Sequence, residues 1–104
     1  MLVYRSMRFS QRLRKYSDPT TAQKRAHRYL GKTATLYPAK KKDKKYSIYD
    51  SKRWVNFGQL GYEDYTKHHD KTRRRNYLRR SRKIKGSWKE NKYSPNNLSI
   101  HILW

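Results

Sequence analysis

Residues 71–86 read KTRRRNYLRRSRKIKG, nine of them Lys or Arg and none acidic. Cations at this density bind anions. Along a helix they neutralise phosphates and release counterions, and the planar arginine fork bonds carboxylates in pairs. The candidate contacts are Arg73, Arg74, Arg75, Arg79, Arg80, Arg82, Lys83 and Lys85. A lysine cluster, Lys40, Lys41 and Lys42 with Lys44 and Lys45, is expected at a hairpin tip, projecting into solvent. Arg5, Arg8, Arg12 and Arg14 form a third set in an N-terminal arm.

Catalysis has less to work with. His68, His69 and Asp70, with Glu63 and Asp64, form the densest group of metal-capable residues. Adjacent histidines on a helix point about 100° apart and rarely share an ion. A capped helix start with polar neighbours explains the same residues. The chain has no HExxH, no CxxC and no Gly-rich phosphate loop, and GQLGY does not match a dinucleotide fingerprint. His27 and His101 are isolated. The expectation is a non-enzyme with no catalytic residue, metal, cofactor or small-molecule substrate.

These candidates must be positioned by a chain of 104 residues with a formal charge of +21, from 28 basic and 7 acidic side chains. Only 34% of residues are hydrophobic. A core built from so few is marginal in a small domain, and same-sign repulsion opposes compaction further. The chain looks made to be completed by a polyanion or by protein neighbours. Low hydrophobicity with high charge is also the composition of disorder. Against that stand ten Tyr, three Trp and two Phe in patterned segments. The absence of Cys excludes disulfides and thiolate metal sites. No apolar run approaches the roughly 20 residues of a membrane span. The start, MLVYRSMRFSQRLRKY, lacks the apolar stretch of a secretory signal. It is Arg-rich and acid-free like a transit peptide, and is read as a basic arm.

Residues 1–17 are assigned to that arm and residues 18–104 to a single small domain. Met1–Tyr4 could add a strand to another protein's sheet, and Met7, Phe9 and Leu13 could equally dock on the domain itself. SDPTTAQKRAHRYLGK reads as a helix: Ser17 or Asp18 caps it, Pro19 opens it, Gly31 ends it, and Ala22, Ala26, Tyr29 and Leu30 share a face. Period-two alternation predicts strands at 33–38, 45–50 and 53–58, joined as a meander. A turn-rich connection, 58–70, leads to a long basic helix. Its apolar seam is Tyr77, Leu78, Ser81, Ile84 and Trp88. LSIHILW alternates and predicts a final strand. The fold class is therefore α+β: helix, three-stranded antiparallel meander, long basic helix and C-terminal strand. The expected core is Ala26, Leu30, Leu36, Ile48, Val55, Phe57, Leu78, Ile84, Ile100 and Ile102. Tyr and Trp fall at positions a core needs, so packing is expected of them before base stacking.

Three stretches, LYPAKKKDKKYSIYD, GQLGYEDYTKHHDKTRRRNYLRRSRKIKGSW and KYSPNNLSIHILW, carry a recognisable pattern. It runs YP, KDKKY, FGQ-x-GYEDYTKH, RR-x-NYL, IKG-x-W and YSPNNLS, ending in LW, and covers most of 33–104. It resembles a family of small basic proteins encoded by large nucleocytoplasmic DNA viruses. The resemblance implies a virion-associated protein, made in the host cytoplasm or nucleus, and transfers no catalytic or ligand residue. The leading expectation is a minor capsid protein that cements larger capsid proteins, using its basic arm and helix on their acidic surfaces. The alternative is sequence-non-specific binding and packaging of viral DNA.

Overall fold

A computed structural model describes residues 9–104. Residues 1–8, and with them Arg5, Arg8 and the Met1–Tyr4 segment, lie outside the described residues. The described residues form an α+β architecture, with five α-helices and one three-stranded antiparallel sheet.

The described part of the arm is not a free tail. Phe9 and Leu13 are buried in the core, and Phe9 meets the Tyr46 ring edge-on at 5.5 Å. Phe9 precedes α1 (Gln11–Arg14) and Leu13 lies within it; Ser10 caps the helix N-terminus. Four residues cannot hold a helix alone, so this packing holds it. Helix α2 (Pro19–Leu30) follows as the sequence predicts. The Asp18 carboxylate caps it, Pro19 opens it, and Ala22 and Ala26 are fully buried.

Strand β1 is short, Tyr37–Pro38, where alternation predicted 33–38. The cause is Gln23 on α2. Its amide donates to Ala34 O and accepts from Leu36 N, both at 2.9 Å. The helix thus takes the backbone groups that a sheet neighbour would have bonded. Strands β2 (Lys44–Tyr49) and β3 (Trp54–Gln59) form the expected hairpin, pairing Tyr46 with Phe57 and Ile48 with Val55. Gly58, the junction of the predicted strand 53–58 and the turn-rich connection, lies within β3 at φ +82°. An added Cβ there would sit 2.8 Å from Leu103 Cδ1, so the close packing of the chain's end on β3 requires glycine.

Helix α3 (Tyr65–His68) is capped by Asp64, and α4 (Lys71–Arg82) by Asp70, whose carboxylate accepts from Thr72 N and Arg73 N. Helix α4 ends two residues before Ile84, which is 52% exposed and not core. The apolar seam therefore stops at Leu78 and Ser81.

The largest departure is the C-terminus. In place of a strand, α5 (Pro95–Leu98) starts at a Ser94 cap and runs into a π-helical turn, Ser99–Leu103, closed by Trp104 N on Ser99 O at 3.0 Å. Leu98, Ile100, Ile102 and Leu103 are all buried. A short apolar run does not distinguish a buried strand from a buried helix. Here the Ser94-Pro95 cap decides.

One buried polar knot joins the layers. Lys45, expected in solvent, is 4% exposed. Its Nζ donates to Asp64 Oδ2 at 3.0 Å and to Tyr62 O at 2.6 Å. The Thr66 backbone and hydroxyl donate to Asp64 Oδ1. Thr66 Oγ1 also accepts from Asp18 N and lies 3.2 Å from Ser17 Oγ, which accepts from the Tyr46 hydroxyl at 2.7 Å. Burial pushes the Tyr46 phenol well above its ordinary range.

Candidate polyanion-binding surface

The 100° step of an α-helix sorts the cations of α4. Its inner face is Arg74, Tyr77, Leu78 and Ser81. The Arg74 guanidinium is half-buried: Nε donates to Trp104 O at 2.6 Å, and the group lies 5.2 Å from the Tyr65 ring centroid. Tyr77 stacks on Trp104 at 4.2 Å. Arg74 is thus a fold residue, not a free contact.

The remaining cations form two stripes. Arg73 and Arg80, seven apart, flank Asn76 and line an open cavity of about 430 Å³ with Gln59, Tyr62 and Trp104. Glu63 lies 3.6 Å from Arg73, with both side chains substantially exposed, a pair that contributes little. Arg75, Arg79 and Arg82, at i, i+4 and i+7, make the second stripe, all exposed. Lys83 is the exposed C-cap, and Lys85 is exposed beyond it.

Lys41 and Lys42 are exposed in the turn before β2. Lys40 is also exposed, but its Nζ lies 4.6 Å from the Trp54 ring centroid and its backbone N–H bonds Asn56. Arg12 is exposed, whereas Arg14 is half-buried with Nε bonded to Phe9 O. The structure therefore brings the α4 cations together and leaves the lysine turn as a separate cluster.

The acids do not answer these charges. Asp18, Asp64 and Asp70 cap helices, Asp50 accepts the backbone N–H of Lys52 and Arg53, and Glu63 meets Arg73. Among the described residues the ion pairs are Lys45–Asp64 and Arg73–Glu63. Asp64, Asp70 and His68, members of the metal-capable group, are engaged locally: His68 Nδ1 accepts from Asp70 N at 2.9 Å. No group of three or more His, Asp or Glu able to hold a metal occurs among the described residues.

Cation crowding reaches inward. Burial first, then Arg74 and Arg28, lower the Arg25 pKa. Burial followed by Arg73 lowers His68, against the opposing pull of Glu63, Asp70 and Asp64. Burial followed by Arg82, Arg25 and Lys92 lowers His101, which stacks on Tyr29 at 4.4 Å. Both histidines bind protons less readily folded than unfolded. Stability is then full above the ordinary value of 6.5 and falls as pH drops below it. Thermal melts should show a lower midpoint at about pH 5.5 than at about pH 7.5, an interval that brackets histidine titration. His101→Gln should reduce the difference. An unchanged midpoint would exclude this linkage.

Sequence reasoning missed two features. Lys45 carries no local signal for an inward turn. Trp54 and Tyr49, expected in packing, are 41% and 50% exposed.

Fold and surface define a small, strongly basic α+β domain whose charge is not balanced within itself. Residues 34–81, from just before β1 to the last turn of α4, match a family of unknown function (DUF5754). No curated protein and no solved structure matches the chain. Among the described residues no helix is long and apolar enough to cross a membrane.

Proposed function

We propose that the protein is a minor, capsid-associated structural protein of a large DNA virus, without a catalytic role. The basic face of α4 seats on acidic surfaces of larger capsid proteins and cements them. The supporting observation is the outward stripe Arg75, Arg79 and Arg82, which no carboxylate among the described residues answers. Five of the seven acids serve caps, a turn or a pair instead. So large an unbalanced charge calls for an external counterpart, and arginine suits a carboxylate surface because its fork bonds two oxygens. The viral setting is supported by the sequence blocks quoted above.

Carbodiimide coupling in intact particles tests the reading, because it joins lysine amines to carboxylates and not to the internal phosphodiesters of a nucleic acid. Lys71, Lys83 and Lys85 flank the stripe and should couple to capsid Asp and Glu. The protein should also remain with shells emptied of genome. Departure with the released genome, with no coupling, would replace this reading by sequence-non-specific DNA packaging. That alternative requires binding to unrelated duplexes at about 50 mM salt that weakens steeply as salt rises.

A further inference from the structure

The β2–β3 hairpin carries a second surface built from other residues. Its register sets Tyr49 directly opposite Trp54. Alternation places this pair on the face of Ser47 and Asn56, not on the face of Tyr46, Phe57, Ile48 and Val55, which packs inward. Along the outer face the chain covers its own middle: Ser47 Oγ bonds Pro38 O at 3.0 Å, and Lys40 N bonds Asn56 Oδ1 at 2.7 Å. The tip stays open, with Tyr49 50% and Trp54 41% exposed. Their ring centroids are 5.5 Å apart, and Tyr37 meets Trp54 edge-on at 5.3 Å.

The rim is cationic. Lys40 Nζ lies over one face of the Trp54 ring, 4.6 Å from its centroid, and Lys52 and Arg53 are exposed in the turn. The turn's carboxylate, Asp50, accepts the backbone N–H groups of Lys52 and Arg53, each at 2.9 Å, so it faces into the turn. Cross-strand packing stabilises a hairpin, but it does not require a Trp and a Tyr half in water beside three cations. Flat apolar rings edged with positive charge fit a ligand with flat faces and a negative backbone.

We propose that the tip of the β2–β3 hairpin binds single-stranded nucleic acid. Unpaired bases stack on Trp54 and Tyr49, and the flanking phosphates are held by Lys40, Lys52 and Arg53. A duplex buries its base faces in its own stack and gains only the phosphate contacts. The inference is independent of how the α4 stripe is used.

The test measures binding of the full chain to a short oligo(dT) and to a duplex of the same length. Wild type should show a component specific to the single strand. Trp54→Ala and Tyr49→Ser should each weaken oligo(dT) binding about tenfold and leave duplex binding within about twofold. Circular dichroism melts establish that each variant is folded. Should Trp54→Ala unfold, Tyr49→Ser decides the matter, because Tyr49 is already half exposed. Arg75→Gln/Arg79→Gln/Arg82→Gln should lower affinity for both probes and keep the single-strand component, which separates this surface from α4. Equal losses on both probes from Trp54→Ala and Tyr49→Ser, or no loss on either, would overturn the proposal. So would a poly-glutamate peptide whose binding depends equally on Trp54, since the tip would then be a protein contact.

Discussion

Asp64→Ala is expected to lower the free energy of unfolding by about 3–5 kcal/mol, the cost of leaving a buried charge unpaired. Small domains have only about 5–15 kcal/mol in total, so the variant should approach unfolding at room temperature. Asp64 is fully buried and its partner Lys45 is 4% exposed. Without the carboxylate, the Lys45 ammonium keeps one neutral acceptor, Tyr62 O. The Thr66 N–H and hydroxyl lose their acceptor as well. Burial already lowers the Lys45 pKa in the native protein, and Asp64 opposes that shift. In the variant the opposition is gone, so folding there favours the neutral amine. The folded state binds fewer protons than the unfolded state, and stability should rise with pH.

Urea unfolding at neutral and at alkaline pH checks both points. The double variant Lys45→Met/Asp64→Leu should recover much of the loss, since an apolar pair removes the buried charge with its partner. A single-variant loss below about 1 kcal/mol, the scale of an exposed pair, would show that the knot does not hold the layers together.

The second large effect concerns attachment. Arg75→Gln/Arg79→Gln/Arg82→Gln should weaken association with emptied capsid shells by up to about two orders of magnitude. Each arginine answering a surface carboxylate contributes at most about 1 kcal/mol, and about 1.4 kcal/mol is a factor of ten. The fold should be unaffected. None of these three side chains takes part in a hydrogen bond or ion pair with the described residues, and Gln is nearly as good a helix former as Arg. Co-sedimentation with shells at rising salt measures the loss. Replacement by Lys should recover only part of the affinity, because the ammonium cannot bond a carboxylate through two parallel donors. Undiminished binding by the Gln variant would remove α4 as the attachment face.

Local chemistry was legible where it is self-contained. Asp18 and Pro19 start α2, Asp70 starts α4, and aromatic alternation marks β2 and β3. Ala26, Leu36, Ile48, Phe57, Leu78, Ile100 and Ile102 are buried as their patterns predict, while Leu30 and Val55 are partly so. The errors have separate origins, one in a contact from another element and two in where helices stop and start. Gln23, on the preceding helix α2, shortens β1. Ile84 has the right spacing for the seam but falls after the last turn of α4. The C-terminal run is buried as expected, in a helix whose Ser94 cap outweighs its alternation.

By itself the sequence determines a basic α+β domain with far more positive charge than seven acids can balance, because composition and local periodicity act residue by residue. Which cations are available is decided only by the tertiary structure. Lys45 and Arg74 look, in sequence, like every other cation in their clusters. Packing turns Lys45 in to Asp64 and seats Arg74 against Trp104 and Tyr65, and leaves Arg75, Arg79 and Arg82 facing out. The physical reason is that burying a charge requires a partner brought from elsewhere in the chain, and local pattern does not record that partner.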